Sequence, residues 1–123
     1  VASGLPSVQY SLSVIFELSK RGEISLEEGI KAATCNVAER FGIEKRGTIK
    51  EGYYADLVVF DPGESFIVEQ KDIASLCGWS PMLGQRFKGR VRDTIASGRL
   101  VVQDYAIASE PGDAMALRFN VND

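Results

Sequence analysis

The spacing of apolar residues changes once along the chain, near Gly47, and that change limits the folds open to it. Before it, Val8, Leu12, Ile15 and Phe16 repeat at helical intervals, as do Leu26, Ile30 and Ala33. After it, residues 48–49, 55–60, 65–68, 91–95 and 100–102 are short β-branched runs bounded by Gly, Asp or Pro. Helices are therefore segregated from strands, which predicts an α+β fold or two incomplete subdomains. The helical part, about 45 residues, is too short to hold a core comfortably by itself.

Local signals sharpen this outline. Pro6 suits a first helical turn, and Lys20-Arg21-Gly22 is a cationic last turn closed by glycine. Ser25-Leu26-Glu27-Glu28 is an S-x-x-E capping box that opens a second helix. Asn36 repeats the cap logic for a short third helix ending at Phe41-Gly42. Lys50-Glu51-Gly52 and Asp61-Pro62-Gly63-Glu64 carry turn chemistry between strands. Residues 72–89 read as a long ordered loop. Beyond Pro111-Gly112-Asp113, Met115, Leu117 and Phe119 alternate as a last strand would.

Composition excludes several functions. The 123 residues include no histidine. That removes His acid/base chemistry, Ser-His and Cys-His nucleophile pairs and the commonest ligand of catalytic zinc. A net charge of -3 gives no reason to expect a nucleic-acid or anionic-membrane partner. Apolar runs such as Leu57-Val58-Val59-Phe60 fall far short of the ~18 residues of a membrane span. No signal-peptide pattern opens the chain. It begins at Val1, so it is expected to be a piece of a longer protein. Cys35 and Cys77 are isolated and read as buried thiols outside any disulfide framework.

Candidate sites mostly dissolve on inspection. Gly84 to Gly89 has a G-x-x-x-x-G skeleton, but Arg90-Val91 stands where a phosphate loop needs Lys-Ser/Thr. Arg86, Lys88, Arg90 and Arg92 alternate, so one strand face would carry four cations. A solvated face that discourages edge pairing is preferred there to an anion groove. No serine has a partner base. Asp56 and Asp61 are five residues apart and would lie on opposite strand faces, so they form no acid/base pair. Glu27-Glu28 is first-turn helix charge. Trp79 reads as the anchor of its loop.

Read together, three stretches resemble the C-terminal third of the amidohydrolase superfamily. They are Ser3-Gly4-Leu5-Pro6-Ser7-Val8-Gln9, Thr34-Cys35-Asn36-Val37-Ala38-Glu39-Arg40-Phe41-Gly42, and the run from Arg46-Gly47-Thr48-Ile49 through Gly52 to Ala55-Asp56-Leu57-Val58-Val59-Phe60-Asp61. Cys77-Gly78-Trp79-Ser80-Pro81, followed by Gly84, Phe87, Gly89, Val91, Thr94-Ile95 and Gly98, narrows this to the cyclic-amide branch, with dihydroorotase-like members nearest. Asn36-Val37-Ala38 departs from the family's Asn-Pro-Ala at a helix start, where proline is favourable but not required.

The resemblance implies a cytoplasmic, homo-oligomeric enzyme with a (β/α)8 barrel holding one or two zinc ions. A His-x-His pair, a carbamylated lysine, two further histidines and a catalytic aspartate would all precede Val1. A barrel needs roughly 250 residues, so this chain would carry none of the catalytic or metal residues and be inactive alone. Residues 1–45 would be the barrel's last helices, and residues 46–123 part of a composite β-sandwich. Its partners would be the rest of its own polypeptide and a small cyclic amide. The reaction implied is the reversible hydrolysis of dihydroorotate to N-carbamoyl-aspartate in pyrimidine biosynthesis. Allantoin or a hydantoin is the alternative ring, and a non-catalytic assembly subunit the alternative class. Ser3 and Gly4 are the only substrate-contact candidates, since a glycine there permits close approach through backbone groups. Gly4 reads equally as a residue that merely precedes a helix.

Overall fold

A computed structural model describes residues 4–109 and 115–120. After a single 3-10 turn at Val8–Tyr10, the chain forms helices α1 (Ser11–Lys20), α2 (Leu26–Ala33) and α3 (Cys35–Arg40). Strands β1 (Leu57–Ile67), β2 (Arg86–Ala96), β3 (Arg99–Gln103) and β4 (Ala106–Ile107) follow as one antiparallel sheet in the order β1-β2-β3-β4. The α+β class expected from the apolar spacing is what forms.

The capping box closes as its sequence requires. Ser25 Oγ accepts from Glu28 N at 3.1 Å, and Ser25 N donates to Glu28 Oε2 at 3.0 Å. Helix α3 departs from expectation. It starts at Cys35, and Thr34 stands at its N-cap without a side-chain cap bond, its hydroxyl turned back to Ile30 O at 2.7 Å. Asn36 is therefore inside the helix, not its cap.

The strands differ more. Thr48 and Ile49 pair with nothing in the sheet, and Ile49 is exposed. The runs 55–60 and 65–68 are one strand, β1, whose register against β2 shifts between Asp61 and Ser65. Asp61 Oδ1 accepts from Gly63 N at 2.8 Å and Glu64 N at 3.2 Å, so the turn chemistry is real. It builds a bulge instead of an ending, and Pro62 is tolerated there because a bulge has no ladder bond to lose. Strand β2 begins at Arg86, inside the stretch expected to be loop. Phe119 makes one isolated bridge to Ile43, so among the described residues the expected last strand amounts to that bridge; Pro111-Gly112-Asp113 lie outside them.

Helix α1 lies on the sheet at β2. Phe16 meets Phe60 edge-on with ring centroids 5.1 Å apart. Tyr10 stacks on Phe87 at 6.2 Å and on Phe66 at 6.3 Å, and with Val68 and Phe87 forms the buried cluster. Two side chains one helical turn apart on α1 also bond the backbone of β2. Ser13 Oγ donates to Gly89 O at 3.0 Å, and Glu17 Oε1 accepts from Lys88 N at 2.7 Å. The helix thereby closes part of a strand edge that β3, paired only with residues 94–96, leaves uncovered.

The turn between β3 and β4 folds back over the remaining edge. Tyr105 N donates to Arg92 O at 2.9 Å, Asp104 N to Asp93 Oδ1 at 2.9 Å, and Tyr105 OH to Asp61 Oδ2 at 3.2 Å. The N–H of Gly63 and then the Tyr105 hydroxyl hold the Asp61 carboxyl below the usual carboxylate range. A depressed folded-state value means that stability is present above the unfolded pKa, about 3.9, and is lost as pH falls through the folded value. Asp61→Asn should therefore flatten the acid limb of a stability–pH curve below about pH 4. An acid limb as steep as the unmutated protein's would refute this.

Candidate functional site

The run from Arg46 to Asp61 is a structural node. Arg46 lies against the face of Tyr54, with its guanidinium carbon 4.3 Å from the ring centroid, and pairs with Asp56 through Nη1. Its Nη2 donates to Ser97 Oγ at 3.1 Å, while Asp56 Oδ1 accepts from Ser97 N at 2.7 Å. Ser97 and Gly98, both at positive φ, form the two-residue turn joining β2 to β3, and Gly98 N donates to Ala55 O at 2.9 Å. The Ala-Asp motif thus pins a hairpin turn to the start of β1. Gly47 serves the same node. At φ 79 it lies so close to α3 that an added Cβ would stand 2.6 Å from the Ala38 methyl.

These bonds settle the acid/base question for the two aspartates. Asp56 belongs to the arginine node and Asp61 to the bulge, and neither faces the other as a proton-transfer partner. The cation stripe also changes meaning. Arg86, Lys88 and Arg92 are exposed, but Arg90 sits between the rings of Phe66 and Tyr105, 4.9 Å from each centroid. Arg92 pairs with its neighbour Asp93 at 2.8 Å. These residues lie along the stretch of β2 that β3 does not pair, where α1 bonds Lys88 and Gly89 and the β3–β4 turn bonds Arg92 and Asp93. The glycine skeleton is no phosphate loop either, because it leads into a strand and Gly84 N is bonded to Val68 O at 2.9 Å.

The thiols are not buried as expected. Cys35 is half-buried and Cys77 exposed, the latter 3.0 Å from Ser75 Oγ. That hydroxyl, followed by the Trp79 region of the backbone, lowers the Cys77 pKa. Trp79 is itself 42% exposed, so it does not anchor the loop.

No motif in the sequence marks the loop's anchors, whose partners are distant backbone groups. Gln9 Nε2 donates to Asp72 O at 2.6 Å and Gln9 Oε1 accepts from Ala74 N at 3.0 Å. Buried Ser80 donates to Pro6 O at 3.3 Å. Gly4 stands at the exposed end of this segment, and Ser3 lies outside the described residues. An added Cβ on Gly4 would meet nothing within 4 Å among the described residues. Packing against the described residues does not ask for glycine there. Between residues 8–13, Phe66, Arg90 and the β3–β4 turn lies a groove of about 660 Å³.

The zinc that the resemblance implies has no candidate ligand set among the described residues. There is no histidine, and among the described residues no group of three or more Cys, Asp or Glu side chains could hold a metal. No helix among the described residues is long and apolar enough to cross a membrane.

A profile of the Amidohydrolase family matches residues 16–102, and the chain belongs to that family. It is 35% identical over 103 residues to a dihydroorotase of Clostridium acetobutylicum, covering 83% of this chain and 24% of that protein. It is 27% identical over 119 residues to a D-hydantoinase of Ralstonia pickettii, covering 96% and 26%. The structure of a D-hydantoinase (dihydropyrimidinase) from Thermus sp. superposes with a TM-score of 0.85 at 25% identity, over 97% of this chain and 26% of that one. The chain thus spans about a quarter of the length of the relatives it matches.

Proposed function

We propose that the chain is the C-terminal part of a dihydroorotase-like cyclic amidohydrolase. Its whole protein would interconvert dihydroorotate and N-carbamoyl-aspartate in pyrimidine biosynthesis. The observation that carries this reading is the 35% identity to a dihydroorotase across a stretch that includes the Arg46–Asp56 node and the loop after it. The near-complete superposition on a D-hydantoinase favours a hydantoin ring as the second reading.

In this reading residues 1–45 end a (β/α)8 barrel and residues 46–123 contribute to a β-sandwich. Exposure of apolar side chains supports it. Leu26, Ile30 and Val37 on α2 and α3, and Val58 and Ile107 on the sheet, are each more than a third exposed, as faces awaiting other parts of a fold would be. The zinc site, the acid/base and the nucleophile would then be furnished outside this chain, in a cytoplasmic homo-oligomer. This chain's own share would be scaffold and a substrate contact at Ser3 and Gly4. The unexplained glycine supports that contact, because a backbone without a Cβ lets a ring approach.

The test is turnover by the whole protein supplied with zinc. Dihydroorotate should be opened, and hydantoin and allantoin should be poorer substrates by at least about tenfold in kcat/KM. Preferential opening of hydantoin would replace the first reading with the second, and no turnover of any ring would overturn both.

A further inference from the structure

We infer that Gln9 and Ser80 are positioning residues for substrate binding, which hold the segment beginning at Gly4 against loop 69–82; this rests on the proposal that Gly4 faces the substrate. The segment has one sealed end and one open end. Tyr10 is buried against Phe66 and Phe87, whereas Gly4, Leu5 and Val8 are exposed, so packing fixes only the far end. Between them, side-chain bonds to the loop do the holding.

Gln9 is well suited to this. Its amide donates and accepts at once, so its two bonds, to Asp72 O and from Ala74 N, fix both position and orientation. Ser80 does likewise from the loop side, donating to Pro6 O while accepting from Met82 N at 3.2 Å. The loop is stiff enough to serve as an anchor. Its 3-10 turn, Gln70–Asp72, is closed by reciprocal bonds between Glu69 and Asp72, and Gln70 Nε2 donates to Gly78 O at 2.7 Å. Gln9 is exposed, and hydrogen bonds in water add little to stability. What they add is placement of the backbone that leads to Gly4.

A backbone contact that grips the ring equally in ground and transition states affects KM and leaves kcat alone. In the full-length protein, Gln9→Met and Ser80→Ala should each raise KM for dihydroorotate about three- to tenfold, with kcat within about twofold. Ser80→Thr, which restores the hydroxyl, should bring KM back toward the unmutated value. Glu17→Met, which breaks a bond of α1 to the sheet, should lower the thermal midpoint without moving KM. Amide exchange at Ser7 and Tyr10 should quicken in Gln9→Met. If the protein opens hydantoin instead, the same KM is read with hydantoin. Unchanged KM in both clamp variants, or KM changes that merely track the thermal midpoint across all four variants, would overturn this inference alone. An unmutated protein that opens no cyclic amide would overturn it together with the function proposed above.

Discussion

Gly89→Ala should destabilise the protein by about 3 kcal/mol, the sum of a left-handed backbone cost and overpacking. Gly89 has φ 83, where an L side chain is strained in any surroundings. The surroundings add to it. An added Cβ would lie 2.7 Å from Phe60 Cε1 and 2.8 Å from Phe16 Cδ1, the two rings that join α1 to the sheet. Gly89 O also accepts from Ser13, so any backbone shift that relieves the clash weakens that bond. The measurement is the midpoint of chemical denaturation, which should fall well below that of Gly84→Ala, where an added Cβ meets nothing within 4 Å. Equal falls in the two variants would show that the rings can swing aside and that only backbone strain remains.

Arg46→Met should cost about 2–3 kcal/mol, somewhat less than the loss of a fully buried ion-pair partner. Only 11% of the Arg46 side chain is exposed, against 33% for Asp56. Methionine keeps much of the aliphatic stem, so the loss reports the guanidinium: the pair to Asp56, the bond to Ser97 and the stacking on Tyr54. Arg46→Lys should recover part of it, since an ammonium keeps charge but cannot bond Asp56 and Ser97 with a planar fork. In a double-mutant cycle with Asp56→Asn, a coupling of at least about 1 kcal/mol is expected. Additive losses would mean that the two side chains act independently despite their contact.

The sequence reveals this fold where bonding partners are close together along it. The Ser25 capping box is readable because donor and acceptor are three residues apart. The Asp61 bulge is only half readable. Its bonds to Gly63 and Glu64 are local, but whether they end a strand or bend it depends on Lys88 and Arg90 across the sheet. The same holds for Arg90, whose neighbours in sequence suggest a charged stripe and whose neighbours in space are two aromatic rings.

The candidate site follows that division. Gly4 could be singled out because a short motif surrounds it. The Arg46-Gly47 and Ala55-Asp56 pairs could be seen as a pattern, but their partner Ser97 lies in a turn without any motif of its own. Gln9 could not be seen as a clamp, because its partners are 63 and 65 residues away and are backbone groups, which leave no trace in residue identity.

The bonds from α1 to β2 also set an order of events during synthesis. Ser13 and Glu17 are made 76 and 71 residues before the backbone groups they bond. At about 5–20 residues per second that is a delay on the order of 4–15 s. Throughout it, the Phe16 ring lacks the completed sheet that it packs against in the folded chain. A strand that leaves the ribosome tunnel later completes the seating of a helix made well before it.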